Sequence, residues 1–207
     1  MAEREMITPS FFSKEISKRD QRKIDLLKAV IRLISEEGWE ATTLDKIGRK
    51  FGMRRSHVAY YFEGRDEMLL EAIRYVAATA QACTLARFGK AAPGEELRAV
   101  VDGAVDWAET HPDQGSVFLL FYHLGAHKKL YRALQTEIRA VGVQRIQEIL
   151  KKTKPRLSDK NRLVLSKRVQ NLITGCLIDF AVTNHSLSFS QLRKEINESV
   201  VSLVSSF

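Results

Sequence analysis

The chain has 207 residues, of which 44% are hydrophobic and 28% charged, and it carries a formal net charge of +8 at pH 7. This hydrophobic content supplies a packed core and excludes a disordered protein. The positive charge favours an anionic partner, and residues 14–65 hold a larger excess of Lys and Arg than residues 66–207. Cys83 and Cys176 exclude a disulfide framework and fit a reducing cytoplasm.

The amino terminus shows no targeting signal. Residues 1–16 lack a sustained period and predict a mobile arm or a fraying helix, and the first 20 residues contain neither a continuous apolar core nor a small-residue cleavage site. The strongest apolar runs, 117–122 and 172–182, are too short to cross a bilayer. We expect a cytoplasmic protein that makes no membrane association.

The first predicted helix spans residues 19–37 and Gly38 ends it. Trp39 follows at once and is predicted to plug the core beneath the next elements. Basic residues cluster around the start of this helix. They are Lys14, Lys18, Arg19, Arg22 and Lys23.

Residues 42–62 predict two short helices joined by a tight turn. Thr42 or Thr43 caps the first of them, and Thr42 has the spacing of a capping box with Asp45. Gly52 suits the left-handed backbone of the turn, and Gly48 indicates close packing of the two helices. The stretch is therefore predicted to be a helix-turn-helix.

The second short helix is rich in hydrogen-bond donors. Val58 and Phe62 continue the apolar face, whereas the polar side chains fall largely elsewhere. An α-helix fits the DNA major groove, where such donors reach base edges and phosphates. The alternatives are a solvated face of a helical hairpin, or an adaptor that docks an acidic partner. The donors are Arg54, Arg55, Ser56, His57 and Tyr60.

From residue 23 to residue 68 the chain resembles the DNA-binding domain of the TetR (tetracycline-repressor-like) family of bacterial transcription regulators. Arg54 departs from this pattern, which commonly has a small hydroxyl residue there, and Ala59 stands where an aromatic residue is common. The matching residues are 37–39 (Glu-Gly-Trp), 41–47 (Ala-Thr-Thr-Leu-Asp-Lys-Ile), Gly52 and 61–68 (Tyr-Phe-Glu-Gly-Arg-Asp-Glu-Met).

The resemblance implies binding to a double-stranded DNA operator. Arg65 resembles the family's basic residue that grips phosphate, and the basic residues near the amino terminus either contact the DNA backbone or form a solvated face. A helix over 65–87 is expected to join two domains and to move the recognition helix. The DNA-binding residues predicted on this basis are Thr43, Lys46, Arg54, Arg55, Ser56, His57, Tyr60, Tyr61 and Arg65.

The remaining chain predicts helices throughout and shows no strand pattern. The fold class is all-α, with a three-helix DNA-binding domain over 1–64 and a helical regulatory and dimerisation domain over 65–207. A basic run over 151–168 is interpreted as a solvated connection, with a second nucleic-acid patch as the weaker alternative. The later helices are predicted over residues 95–110, 113–124, 128–152, 158–184 and 190–205.

Two further sites follow from the resemblance. The last two helices are expected to pair with those of a second copy, and their apolar stripe supplies the interface. An unknown small-molecule effector is expected in an apolar pocket, although a fully packed core explains the same residues. The interface residues are Val169, Leu172, Ile173, Cys176, Phe180, Leu192, Ile196, Val200 and Leu203, and the pocket residues are Trp107, Phe118, Phe121, Tyr122, His123 and Leu134.

Catalytic groups are not recognisable in the sequence. It has no phosphate-binding glycine loop, nucleophile elbow or Cys/His constellation. His123 and His127 would face one metal ion if a helix continued through Gly125, but no third ligand lies at a fixed spacing. His111 and His185 are predicted near helix ends. We therefore expect no enzyme activity, no metal and no cofactor; whether the regulator represses or activates stays open.

Overall fold

A computed structural model describes residues 17–183 and 187–207. The arm predicted over 1–16, Lys14 and His185 lie outside these residues. Within them the chain forms nine α-helices and no strand, which confirms the all-α prediction. The helices are α1 (Lys18–Glu37), α2 (Leu44–Lys50), α3 (Arg55–Ala59), α4 (Arg65–Phe88), α5 (Glu96–Thr110), α6 (Gln114–His127), α7 (Lys129–Thr153), α8 (Asp159–Val182) and α9 (Phe189–Ser205).

The chain divides into two compact units. The N-terminal unit contains the described residues up to Thr79 together with His111–Arg132, and the C-terminal unit contains Ala80–Thr110 and Ala133–Phe207. This division differs from the boundary predicted after residue 64. The reason is that α6 packs against α1, so residues late in the chain join the unit that holds the helix-turn-helix.

Serine caps fix the starts of three helices. The Ser17 hydroxyl accepts from the Asp20 amide at 3.1 Å, and Ser158 accepts from Asn161 at 3.3 Å. Ser188 and Gln191 form a complete capping box at the start of α9. These contacts satisfy amide donors that a helix leaves unpaired in its first turn.

The structure corrects the predicted start and end of α6. The helix predicted over 113–124 begins one residue later, at Gln114, and Pro112 lies in the preceding turn. At its other end α6 continues through Gly125 to His127, three residues beyond the predicted Leu124. Gly125 is buried inside the helix, where packing offsets its low helix propensity.

In the N-terminal unit, the apolar face of α1 forms the centre of the core. Leu26, Leu27, Val30 and Leu33 have no solvent exposure. Ile47 of α2 and Val58 of α3 are equally buried, so the two short helices pack their apolar residues inward. This arrangement leaves the opposite side of α3 in solvent.

In the C-terminal unit, α5, α8 and α9 pack on one another. Arg193 of α9 ties this group together because its guanidinium donates to the Asp102 carbonyl oxygen and to the Asp106 carboxylate, both at 2.9 Å. Arg87 donates to the same carboxylate: its Nη2 lies 2.8 Å from Oδ1, the oxygen that also accepts from Arg193, and its Nε donates to Oδ2. The hydrogen bond from Arg87, and then that from Arg193, hold the pKa of Asp106 below its usual value. In the described part of the chain no helix is long and apolar enough to span a membrane.

Candidate nucleic-acid interface

The first helix of the helix-turn-helix is capped by Thr43. Its hydroxyl accepts from the Lys46 amide at 3.2 Å. Thr42 is fully buried and its hydroxyl instead donates to the Gly38 carbonyl at 3.0 Å. The capping box predicted between Thr42 and Asp45 is therefore wrong, because Thr42 fastens the preceding loop rather than α2.

The two predicted glycines have separate roles in the turn. Gly52 adopts a φ of 62°, in the left-handed region that favours glycine. Gly48 accepts a hydrogen bond from the Met53 amide at 2.8 Å, and a β-carbon there would lie 2.7 Å from the Met53 carbonyl oxygen. A side chain at position 48 would thus push the turn away from α2.

Around α3 the polar side chains face solvent. Val58 and Phe62 are buried beneath the helix, as predicted. Tyr60 keeps 65% of its surface exposed, which is high for an aromatic residue. We call the exposed donor side chains around this helix the recognition surface. It consists of Arg54, Arg55, Ser56, His57 and Tyr60.

Acidic residues near the recognition surface bind its cations only loosely. Arg55 Nε lies 3.8 Å from Asp45 Oδ2, and both side chains are mostly exposed. Solvent screens such a pair, so the arginine remains available to another anion. Lys46, also predicted to bind DNA, makes a close ion pair with Glu37 instead.

Arg65 is already bound within the protein. Its Nε donates to the Thr42 carbonyl at 3.0 Å and its Nη2 donates to the Trp39 carbonyl. The guanidinium also lies over the Trp39 ring, 4.0 Å from the centroid, and Nη2 is 3.7 Å from Glu40 Oε2. Trp39 is therefore half-buried under Arg65 rather than inserted in the core, and Arg65 fastens the loop before α2 to the start of α4. Its predicted phosphate contact stays a prediction.

The start of α1 lies beside the helix-turn-helix. The Arg19 guanidinium is 5.1 Å from the centre of the Tyr60 ring, and Tyr60 packs edge-on against Tyr61 at 5.2 Å. Arg22 lies 5.6 Å from the centre of the Phe51 ring. The sequence predicts only a cluster of basic residues here; the i, i+3 spacing of Arg19 and Arg22 was the available signal for one shared face.

Residues predicted for the effector pocket lie in both compact units. Trp107 and Leu134 are buried in the C-terminal unit. Phe118, Phe121 and Tyr122 form an aromatic cluster on α6 in the N-terminal unit, where the Tyr122 ring lies 5.1 Å from Phe118 and 6.3 Å from Phe121. The sixth residue, His123, is exposed on the same helix.

Most residues predicted for the dimer interface instead fill the core of their own chain. The pairing of α8 with α9, and of both with α5, buries them. Leu172, Cys176 and Leu203 keep intermediate exposure. Six of the nine are at most 4% exposed, namely Val169, Ile173, Phe180, Leu192, Ile196 and Val200.

Other apolar residues of these two helices face outward. Val201 of α9 is 64% exposed, and Val164 and Val182 of α8 are exposed as well. Sequence reasoning missed them because each lies just outside the continuous apolar stripe. A surface for a second copy, if formed by α8 and α9, must therefore use this outer side.

Comparison with known proteins agrees with this geometry. Residues 26–72 match the family model described as bacterial regulatory proteins, tetR family. The chain is 25% identical over 188 residues to the HTH-type transcriptional regulator BetI of Proteus mirabilis (strain HI4320), a match that covers 89% of this chain and 92% of that protein. It is 29% identical over 123 residues to BetI of Burkholderia mallei (strain NCTC 10229), covering 58% of this chain and 63% of the relative.

A transcriptional regulator from Saccharomonospora viridis, solved in complex with choline, has the same fold. The two structures superpose with a TM-score of 0.74 at 21% identity, over 86% of this chain and 94% of that one. The matched residues 26–72 contain the helix-turn-helix that carries the recognition surface. Residues 26–72 therefore carry the DNA-binding domain of the tetR family of bacterial regulatory proteins.

Proposed function

We propose that this regulator is a cytoplasmic homodimeric repressor, which binds a nearly palindromic operator and leaves it when a small-molecule effector binds. The observation that carries the DNA-binding part is the recognition surface, where five adjacent donor side chains are exposed above a fully buried apolar face. An arginine on such a helix bonds the O6 and N7 atoms of guanine, and hydroxyl groups reach phosphates or base edges.

Arg19 and Tyr60 extend this surface beyond α3. The cation–π contact between them restrains the exposed tyrosine before DNA binds. Less rotamer freedom is therefore lost on binding. We expect Arg54 and Arg55 to read bases and Arg19 to contact the backbone. Thr43, Lys46, Tyr61 and Arg65 make intramolecular contacts or are partly buried, and their direct contacts with DNA remain predictions.

We propose that the outer sides of α8 and α9 form the dimer interface. Val164, Val182 and Val201 are the exposed apolar residues around which it would close. Leu172, Cys176 and Leu203, half-buried in the chain, supply further area. A twofold dimer presents two recognition helices about 34–36 Å apart, which matches one turn of DNA and requires a palindromic site.

A quaternary ammonium compound is the first effector to test. The Saccharomonospora viridis relative was solved with choline. In this chain the aromatic cluster of Phe118, Phe121 and Tyr122 on α6 provides the π faces that attract such cations. Trp107 and Leu134, in the C-terminal unit, remain predicted effector contacts.

The N-terminal unit contains a route from α6 to the DNA-binding helices. Arg132, in the first turn of α7, donates to the Gly125 carbonyl at 3.0 Å and to the Ala126 carbonyl at 2.7 Å at the end of α6. Its neighbour Tyr131 is fully buried, and its hydroxyl donates to Asp66 Oδ1 at 3.0 Å at the start of α4. We propose that these contacts transmit a shift at the end of α6 to the start of α4.

The protonation of Tyr131 and two neighbouring contacts support this arrangement. Burial, and then the hydrogen bond to Asp66, raise the pKa of Tyr131, so the phenol keeps its proton and remains a donor. Lys128 Nζ lies 3.7 Å from the same carboxylate. The adjacent Arg65 holds the loop before α2. An effector would release DNA only if it binds more tightly to the conformation in which these contacts misplace α3.

Selection of DNA from a random pool by the purified protein tests the proposal. We expect a nearly palindromic site whose affinity falls linearly with salt on a log–log scale. Choline and longer quaternary ammonium compounds are then titrated against the selected complex, where release is expected. Selection of no sequence would contradict the operator proposal and favour a nonspecific binder or an adaptor, whereas a palindrome without release would contradict only the effector class.

A further inference from the structure

Two histidines lie side by side at the end of α6. His123 and His127 are both exposed, and the helix runs without interruption between them through Gly125. Residues four apart occupy one face of a helix. Their ring centroids are 5.0 Å apart, with 59° between the ring planes.

This separation matches two imidazoles bound to one metal ion. Zinc lies about 2.0–2.1 Å from an imidazole nitrogen, which places the ring centroid roughly 3.2 Å from the metal. Two such rings at ligand angles between roughly 90° and 110° would have centroids about 4.5–5.2 Å apart. The observed separation lies inside that interval.

We propose that His123 and His127 form a binding site for one divalent transition-metal ion, such as Zn²⁺, Cu²⁺ or Ni²⁺. Imidazole ligands favour these ions over Mg²⁺ and Ca²⁺, which prefer oxygen. Within residues 17–183 and 187–207, no group of three His, Cys, Asp or Glu side chains is placed to hold a metal. A bound ion would therefore take water in its remaining ligand positions, as in an open rather than a structural site.

The surroundings permit a cation at this position. Lys128, the next residue along the chain, lies with its ammonium 3.7 Å from Asp66, which partly neutralises it. The Lys128 amide donates to the Leu124 carbonyl at 2.8 Å and closes the helix, so the backbone under the two rings is fixed before metal binds. Preorganisation of this kind reduces the entropy lost on binding.

Metal binding would bridge the last turn of α6. The carbonyl groups of that turn, at Gly125 and Ala126, are those to which Arg132 donates. A bridged turn resists fraying and holds these acceptors in place. The metal site therefore lies next to the contacts that lead to Asp66, and its occupancy would favour the conformation seen here.

Calorimetric titration of the untagged full-length protein with Ni²⁺ tests the site, and electron paramagnetic resonance with Cu²⁺ identifies its ligands. We expect one ion per chain and a Cu²⁺ spectrum with two imidazole nitrogens. His123→Gln or His127→Gln should each weaken Ni²⁺ binding by at least the roughly tenfold that loss of even an outer-shell partner causes. His111→Gln, which alters a histidine outside the pair, should bind Ni²⁺ like the wild type.

Circular dichroism must show unchanged helix content in each variant. We expect this for His123→Gln and His127→Gln because both histidine side chains are exposed. Titration of Cys83→Ser and Cys176→Ser variants separates thiol binding from the histidine site. Wild-type binding in either His123→Gln or His127→Gln, or no Ni²⁺ binding by the wild type at about 100 μM, would overturn the proposal. Neither result bears on operator binding, which is measured without metal.

Discussion

The helix-turn-helix and the α8–α9 pair show the same sequence pattern with different outcomes. In both, an apolar stripe with helical spacing is buried as predicted: Val58 beneath α3, and Ile196 between the helices of the C-terminal unit. At α3 the functional residues were inferred from the side opposite the stripe, and they are exposed. At α8 and α9 the functional residues were inferred from the stripe itself, and most of them are buried within the chain.

An apolar stripe indicates that a face is buried but does not identify what covers it. Ile196 at 0% exposure has no surface left for a second copy, whereas Val201, five residues later, has 64%. Exposed polar residues indicate function more directly. Packing of the core does not account for a row of donors such as Arg54 and Arg55, so these residues point to a binding partner. Substitutions can distinguish the two regions, and we expect the largest loss of stability where the apolar stripe is buried.

Ile196→Asp should unfold the C-terminal unit. An unpaired carboxylate in an apolar core costs several kcal/mol, which is a large part of a domain's stability. Val201→Asp places the same charge on an exposed site of the same helix, so it should keep the fold and lose only the dimer. Thermal melting followed by circular dichroism, together with light scattering, distinguishes the two outcomes.

The same reasoning revises an expectation drawn from the sequence. The sequence places Phe180 in the dimer interface, but Phe180 is buried within its own chain, so Phe180→Asp should destabilise the chain rather than only separate the dimer. A folded Phe180→Asp monomer, or a Val201→Asp dimer as strong as the wild type, would show that α8 and α9 meet the second copy in another way.

Much of the fold follows from local sequence signals. Gly38, Gly52 and Ser158 mark helix ends where the structure has them, because caps and left-handed glycines act within a few residues. The compact units could not be predicted this way, since the packing of α6 on α1 joins residues far apart in sequence.

The residues of the candidate site could be predicted from the sequence only in part. The recognition surface follows from helical spacing. The contacts of Arg65 with Trp39 and Thr42, and of Tyr131 with Asp66, do not, because each depends on a tertiary approach that no short pattern encodes. Sequence reasoning therefore found the residues that face outward, and missed those that position them.

Gly48→Ala should have the next largest effect. Its β-carbon would lie 2.7 Å from the Met53 carbonyl oxygen, so the turn between α2 and α3 must move. Overpacking typically costs about 1–3 kcal/mol, against a gain of roughly 1 kcal/mol in helix propensity. We expect operator affinity to fall more than stability, as measured by fluorescence anisotropy and thermal melting.

Gly115→Ala in α6 is the matched control for this change. A β-carbon at position 115 meets nothing within 4 Å, so the variant should be as stable as the wild type or slightly more so, with normal operator binding. Equal operator affinity in Gly48→Ala and Gly115→Ala would show that the turn tolerates displacement.

Arg55→Ala should reduce specific affinity by about 1–3 kcal/mol, the value of a bidentate base contact, and leave the melting temperature unchanged because the side chain is exposed. Arg65→Ala removes hydrogen bonds to Thr42 and Trp39, so it should lower the melting temperature and weaken binding to all sequences alike. Competition with nonspecific DNA separates the two patterns. Wild-type binding curves for both Arg55→Ala and Arg65→Ala would contradict the proposed docking of α3 on DNA.

Tyr131→Phe should have a small effect on operator affinity, a modest effect on stability and a distinct effect on the effector response. The substitution removes one hydrogen bond to Asp66 and keeps the buried ring, which corresponds to about 0.5–1.5 kcal/mol. The loss stays in this range because Asp66 is largely exposed and its carboxylate can bind water and keep Lys128 as a partner.

A double-mutant cycle with Asp66→Asn tests whether this contact carries the effector signal. If it does, Tyr131→Phe, Asp66→Asn and the double variant should each bind operator nearly as well as the wild type without effector, yet lose less operator affinity when saturated with effector, and the effects should not add. The cycle is measured as the shift in operator affinity at saturating effector, since a change in effector affinity alone leaves that shift intact. Additive shifts in the double variant would mean that Tyr131 and Asp66 act separately, and the signal would then reach α4 through the packing of α6 on α1.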